Sequence, residues 1–445
     1  MTADRLIRVL TLADYNTRVV MFGTVMLGIA GGVVGTYLLL RRRSLLADAI
    51  SHAALPGVAA AFIASVALGG TGRSLPVLLI GAAVSGLLGI GAVQAITKYT
   101  RLSQDAALGI VLSVFFGFGT ALLGIIQKMR GVQSTGLSSF IYGKTASLIL
   151  SDALLIGVAA CAVIVLAMLL FKELRLFTFD PEFAAGDGWP VQRLDLLLMT
   201  LVLVITVLGL QAVGIVLVVA LLIVPSAAAR FWTDRLRVMV ILSALIGAFG
   251  GYMGTAISAL APRLPPGAVI VTVLGAVFVV SFLFGGSRGV ISVIAVRRNL
   301  ARRTLRQNML RALYECEESG RSRDAAGQMR HLRSLRAWTD RAFRRTLRRL
   351  ARDQAIYRIA DGPWIFTQAG RVEAMRVTRN HRLWEVYLLE HADIAASHVD
   401  QGADSIEHVL GDALVAELEA AMPRFGKPLP PSIHALADQS AGGDA

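Results

Sequence analysis

Asp48, Ser51, His52 and Pro56 fall within nine residues of the stretch SLLADAISHAALPG, whose other side chains are mostly apolar. Asp48 and His52 are four apart, so a helix sets them on one face, one turn above the other. One hard carboxylate and one borderline imidazole suit Mn²⁺, Fe²⁺ or Zn²⁺ better than Ca²⁺ or a soft Cu⁺ site. Pro56 cannot donate the helical hydrogen bond to the His52 carbonyl, which leaves that carbonyl, with the Ser51 hydroxyl, as further polar lining. A second reading of the same residues stands beside this one. Asp48 also fits a first-turn carboxylate at a membrane interface, five residues from Arg43 and stabilised by the helix dipole.

Two further groups carry chemistry. His381 and Glu385 are again four apart, and Asp404, Glu407 and His408 form a D-x-x-E-H cluster. Imidazoles and carboxylates at such spacings hold a divalent ion jointly, or they are simply exposed helix charges. Arg341, Arg344, Arg345, Arg348 and Arg349 share one expected helix, either as a DNA-phosphate surface or as a basic face near anionic lipid headgroups. A module tethered beneath a membrane favours the lipid-facing reading.

The elements that must position these groups follow from the distribution of apolar residues. The chain has 445 residues, 55% of them hydrophobic and 17% charged, with a net charge of +14. From about Val19 to about Leu283 it is a succession of apolar runs near the length needed to span hydrocarbon. Spans are expected at 19–40, 46–68, 75–96, 105–127, 149–171, 194–210, 213–229, 237–260 and 267–285. The pair at 194–229 reads as two short or broken helices hinged near Gln211–Gly214. Ionisable groups inside such spans cost roughly 2.5–3.5 kcal/mol each and normally face an interior or a pathway. Glycine and other small residues are dense in these runs, which suits close helix packing in a bilayer and a transporter bundle.

Arginines and lysines gather in alternate loops, at Arg41–Arg43, Lys98 and Arg101, Lys172 and Arg175, and Arg230 to Arg237, then from Arg297 onward. Residues 128–147, with Lys128, Arg130 and Lys144, run against that pattern. On balance the bias sets the N-terminus outside and the C-terminal domain in the cytoplasm. Residues 1–18 read as a short amphipathic or loop segment without a cleavage-site pattern. Cys161 and Cys316 are too few for a disulfide framework or a thiolate metal site. The mixed-charge loop 171–192 has a helical pattern from Pro181 to Ala185, suited to docking a partner or to plain solvation.

After residue 300 the pattern changes. A helical period through Leu305, Met309 and Leu313 stops at Gly320, and Thr339 or Asp340 is positioned to cap a following helix. Two short strands around Asp361-Gly362 then precede another helix, which is the order of a winged helix-turn-helix. The expected fold class is mainly α: a polytopic membrane helical bundle of about eight to nine spans (19–290), a winged-helix-like domain (300–375), a helical domain (376–431) and a flexible tail (432–445).

RRRSLLADAISHAALPGVAAAFI resembles the signature of permease subunits of bacterial manganese, zinc and iron ABC importers. FDPEFAAGDG is similar to that family's cytoplasmic loop, QAVGIVLVVALLIVPSAAARFW to its G-x-x-L-x-x-x-L-L-I-x-P-x-x-x-A-R run, and LPPGAVIVTVLGAVFVVSFLF to its last span. The resemblance implies that Asp48 and His52, with Ser51 and Pro56 beside them, line the metal pathway. It implies that Asp180, Pro181, Glu182, Phe183, Ala184 and Gly186 contact a separate ATPase subunit. No G-x-x-x-x-G-K-[ST] phosphate loop occurs in the sequence, consistent with ATP being handled by that partner. A periplasmic or lipid-anchored metal-binding protein and a second permease, identical or related, are implied as well. The setting is the bacterial inner membrane, and the chain is expected to be a transporter subunit, not an enzyme.

From about Asn308 to Pro430 the chain is similar to metal-dependent repressors of the diphtheria-toxin-repressor kind, through LRALYECEESG, FTQAGRVEA, HRLWEVYLLE, IEHVLGD and FGKPLP. By position, His381, Glu385, Glu407 and His408 correspond to that family's metal ligands. Asp404 occupies a ligand position where the family varies, and His398 matches loosely. Asn308 and Arg311 stand where first-helix ligands are expected, a departure from the family pattern. The rival to a metal-regulated permease is a membrane-tethered, metal-responsive transcriptional regulator. A tether needs one span, not nine.

Overall fold

A long apolar run in hydrocarbon must satisfy its own backbone, and in the computed structural model each such run is helical. The structure describes residues 14–69, 74–128, 145, 148–260, 264–320, 324–335 and 339–391. It divides into two compact units, residues 1–293 and 294–445.

The first unit comprises α1 (Tyr15–Leu40), α2 (Leu45–Ala67), α3 (Leu75–Tyr99), α4 (Gln104–Lys128), α5 (Leu150–Leu169), α6 (Phe171–Phe179), α7 (Pro181–Gly186), α8 (Val191–Val213), α9 (Ile215–Arg230), α10 (Leu236–Leu260) and α11 (Pro266–Phe284). Among the described residues, eight helices are long and apolar enough to cross a membrane: α1 to α5, α8, α10 and α11. The ninth expected span is α9, which has 16 residues. At 1.5 Å per residue it covers about 24 Å, short of the ~30 Å hydrocarbon core. The reason is local. Gly214 takes a φ of +83°, a left-handed conformation that breaks the run into α8 and α9 at the expected hinge.

α1 lies at the centre, packed against α5, α9 and α10, with Ala30 and Val34 fully buried. Its contact with α10 is backbone to backbone. A Cβ on Gly28 would lie 2.3 Å from the Gly247 carbonyl oxygen, and one on Gly247 would lie 2.1 Å from that of Gly28. In lipid, association of helices rests on such close packing and on interhelical hydrogen bonds. The Ser243 hydroxyl donates to the Gly32 carbonyl at 2.8 Å, and the Thr24 and Thr255 hydroxyls meet at 3.1 Å.

The exit of the last span is held by Asp234, in the turn between α9 and α10. Its carboxylate accepts from the Ser287 hydroxyl at 2.6 Å and from Arg288 Nε at 3.0 Å. The Ser287 bond, then Arg288, hold this carboxyl below the usual carboxylate range, against a smaller desolvation effect.

Helix α12 (Val290–Glu318) runs from the first unit into the second, which continues with α13 (Ala325–Leu335), α14 (Asp340–Arg352), strands β1 (Ile356–Arg358) and β2 (Trp364–Phe366), and α15 (Gln368–His391). The strands pair antiparallel, with Tyr357 opposite Ile365. The core is drawn from Leu310, Leu313, Leu332, Phe343, Leu350 and Ile356. α14 buries Phe343, Thr346, Leu347 and Leu350 and turns its arginines outward. The Gln328 amide ties α13 to the strand ribbon, donating to the Trp364 carbonyl at 2.9 Å and accepting from its N–H at 2.8 Å. Three helices followed by a two-stranded ribbon give the element order expected for a winged helix; Thr339 stands at the N-cap position of α14, but its side chain makes no capping hydrogen bond.

Candidate functional site

Asp48 sits in the first turn of α2, where the helix N-terminus favours a negative charge, and His52 lies one turn on. His52 Nε2 approaches Asp48 Oδ1 to 3.5 Å, longer than a normal N–H···O hydrogen bond. The His52 side chain is 20% exposed and that of Asp48 is 38% exposed, so the carboxylate is the more accessible donor. The other ring nitrogen, Nδ1, is buried without a hydrogen-bond partner among the described residues. A buried imidazole nitrogen left open in this way costs stability unless something else occupies it.

The remaining predicted lining is placed differently. Ser51 is fully buried, and its hydroxyl donates to the Ala47 carbonyl at 2.7 Å within its own helix. Its lone pairs stay available as acceptors. Pro56 is buried inside α2. α4 supplies what the sequence reading missed. Phe116 packs T-shaped on the His52 ring at 4.8 Å, and Gly119, one turn later, faces Pro56 so closely that a Cβ there would meet Pro56 N at 3.1 Å. The alternation FFGFG at 115–119 is the one sequence cue to this contact.

Among the described residues, no group of three or more His, Cys, Asp and Glu side chains converges on a common point. Asp48 and His52 are thus two donors, a hard oxygen and a borderline nitrogen, suited to passing an ion more than to caging one. Arg43 does not neutralise them. It forms an ion pair with Asp195 at the start of α8, with side chains 14% and 17% exposed.

The loop predicted to meet a partner folds as two short helices. Asp180 accepts a hydrogen bond from the Phe183 N–H at 2.9 Å and so caps α7, with Pro181 at its first position. Ala184 is buried, Glu182 and Gly186 are exposed, and Phe183 is 59% exposed. α6 buries Leu174 and Phe177, and Arg41 anchors it, stacking on Phe177 at 3.7 Å and donating to its carbonyl at 2.7 Å.

In the second unit His381 is buried, at 2% exposure, on α15. Glu385 belongs to the same helix. His398, Asp404, Glu407 and His408 lie outside the described residues. Asn308 and Arg311 are buried on α12, Arg311 with its Nε 3.4 Å from Glu315 Oε1. Nearby, Arg306 donates to both carboxylate oxygens of Glu373, at 2.9 and 2.8 Å, and pairs with Asp353. The Arg306 hydrogen bonds hold the Glu373 carboxyl below the usual range against desolvation.

Residues 13–285 match the ABC 3 transport family. The chain belongs to that family. Eight helices among the described residues that are long and apolar enough to cross a membrane, with this membership, make it a multi-span membrane permease of the ABC importer family, not an enzyme. Residues 367–427 match a second family, the iron dependent repressor, metal binding and dimerisation domain, so the expected fusion of the two is present.

The chain is 37% identical over 393 residues, 88% of each chain, to the manganese transport system membrane protein MntC of Bacillus subtilis, a match that runs beyond the permease segment. It is 43% identical over 289 residues to the zinc transport system membrane protein TroC of Treponema pallidum, covering 65% of this chain and 95% of that one. Among solved structures, PsaBC from Streptococcus pneumoniae in complex with Fab matches with a TM-score of 0.55 and 30% identity, over 65% of this chain and 98% of that one.

Proposed function

We propose that this ABC 3 family permease carries a divalent transition metal ion (manganese, zinc or iron) across the bacterial cytoplasmic membrane. The observation that carries the reading is the Asp48–His52 pair, 3.5 Å apart on one face of α2, with one imidazole nitrogen buried and unpartnered. The manganese and zinc systems named for its relatives support the substrate class. A carboxylate and a neutral imidazole take the ion from water, and two donors let it go again. Tighter coordination would slow release.

Energy comes from ATP hydrolysed by a separate ATPase subunit, docked on Asp180 to Gly186 with Phe183 as the exposed apolar contact. A periplasmic or lipid-anchored protein delivers the ion, and a second permease chain, identical or related, completes the membrane pore. The clustering of positive charge in alternate loops supports a cytoplasmic second unit. There His381, Glu385, His398, Asp404, Glu407 and His408 form a regulatory site for the transported metal, without a contribution from Asn308 or Arg311. Similarity to the iron dependent repressor domain supports this role.

The test is metal uptake by proteoliposomes holding the permease with its ATPase and binding protein. Asp48→Asn and His52→Ala are each expected to reduce ATP-dependent uptake to background while the complex still assembles. Normal uptake by both variants would remove Asp48 and His52 from the pathway. For the regulatory site, calorimetry of the full chain with Mn²⁺ or Zn²⁺ is expected to lose one binding event in the E407Q/H408A variant. An unchanged titration would end that part of the reading.

A further inference from the structure

The arginines of the second unit fall into two classes. Arg306, Arg333, Arg358, Arg371 and Arg382 are each within ion-pair distance of a carboxylate. Arg302 and Arg303 on α12, with Arg349 and Arg352 on α14, are exposed and make no ion pair among the described residues. These four line one cavity of about 440 Å³ between the two helices. The one carboxylate in its wall, Asp353, is already paired with Arg306. Four uncompensated guanidinium groups around a concave site are costly by mutual repulsion, and a bound polyanion relieves that cost.

The geometry points to an anionic phospholipid headgroup as the occupant of this cavity. Arginine forks match phosphate oxygens in pairs, and planar guanidinium groups lose less hydration than ammonium groups when they do so. The chain itself names the source of phosphate. α11 ends at Phe284 and α12 begins at Val290, so Arg297, Arg298, Arg302 and Arg303 all follow within a few helical turns of the last span. Four to eight basic residues directly after a membrane helix are the pattern that binds acidic lipid surfaces. The covalent connection keeps the local concentration of headgroups high, which a free anion or a nucleic acid does not share. Headgroup binding pins α12 and α14 at the membrane and makes the second unit responsive to lipid composition. It is independent of which metal, if any, the permease carries.

The test uses the full-length chain with p-benzoylphenylalanine in place of exposed Ala301, in nanodiscs of phosphatidylcholine alone or with graded phosphatidylglycerol. Irradiation is expected to give a phosphatidylglycerol adduct on the peptide containing residue 301, rising with the phosphatidylglycerol fraction. At sub-saturating fractions R302Q and R349Q are each expected to lower the yield about fivefold. R302K/R349K, which keeps the charge, retains most of it. R333Q removes a charge that is paired with Asp340 outside the cavity, and is expected to leave the yield unchanged.

Three outcomes overturn the inference. One is an adduct no greater than in phosphatidylcholine alone. Another is an equal fall in R302Q, R349Q and R333Q, which means that net charge acts without a site. The third is loss of the adduct to inorganic phosphate or to duplex DNA at matched ionic strength, which assigns the cavity to that anion instead. Both leaflets are available in a nanodisc, so the result does not depend on orientation or on metal uptake.

Discussion

Phe116 and His52 meet in a T-shaped contact, ring centroids 4.8 Å apart and planes at 83°. The contact packs a ring from α4 against the imidazole whose Nε2 lies 3.5 Å from Asp48 Oδ1, and so restricts its rotation. An aromatic pair of this kind contributes about 0.5–1.5 kcal/mol beyond its buried area. Phe116→Ala is therefore expected to raise the metal concentration for half-maximal uptake about three- to tenfold, with a smaller effect on maximal rate. Phe116→Trp, which can restore a ring contact, is expected to recover part of that loss. Unchanged uptake in Phe116→Ala would show that His52 is oriented by α2 alone.

Arg43 and Asp195 join the ends of α2 and α8, and both side chains are largely buried. Removing one partner strands a charge in a poorly solvated site, at a cost of about 3–5 kcal/mol. Asp195→Asn and Arg43→Gln are each expected to lower the melting temperature of the detergent-solubilised protein. The double variant is expected to be more stable than the sum of the two losses predicts. Strict additivity in that cycle would mean that the two groups do not interact.

The parts of this fold legible in the sequence are those set by local pattern. Apolar run length marked the membrane helices, and the expected hinge at Gln211–Gly214 contains Gly214, which with a φ of +83° ends α8 and starts α9. Spacing alone put Asp48 and His52 on one face. What closes around them was hidden, since Phe116 and Gly119 come from a helix more than 60 residues along the chain. The same holds for Arg43, whose partner Asp195 is 152 residues away. Periodicity says that a face is apolar but not which helix it meets. The apolar run at 194–229 also read as two short or broken helices, and α9 is the short one, with 16 residues. The second ligand cluster, from His398 to His408, rests on sequence alone because it lies outside the described residues.

Phe183 is 59% exposed on a six-residue helix that Asp180 caps. An exposed aromatic contributes little to the stability of an isolated chain but much to an interface whose partner buries it. Phe183→Ala is expected to leave the melting temperature within about 1 °C while lowering ATPase co-purification at least tenfold. Asp180→Ala removes the cap, costs α7 about 1 kcal/mol, and is expected to weaken the same association to a lesser degree. Full retention of the ATPase by both variants would place the contact elsewhere.

Glu373 and Arg306 set an acid limit for the second unit. The Arg306 hydrogen bonds lower the Glu373 carboxyl from its ordinary value of 4.5 in the folded state. A lowered folded value means that the unfolded chain takes up the proton first as acid is added. The pair's contribution is therefore fully present above the unfolded value and is lost as pH falls through the folded one. Arg306 stays charged throughout, because the same bonds raise its value further. Thermal melts followed by tryptophan emission should lose stability below about pH 4.5 in the wild type, with a shallower slope in Glu373→Gln. Glu373→Gln keeps one hydrogen-bond acceptor for Arg306, so its loss at neutral pH is expected to be smaller than that of Glu373→Ala. Identical acid profiles for wild type and Glu373→Gln would show that other carboxylates, Asp353 among them, set the limit.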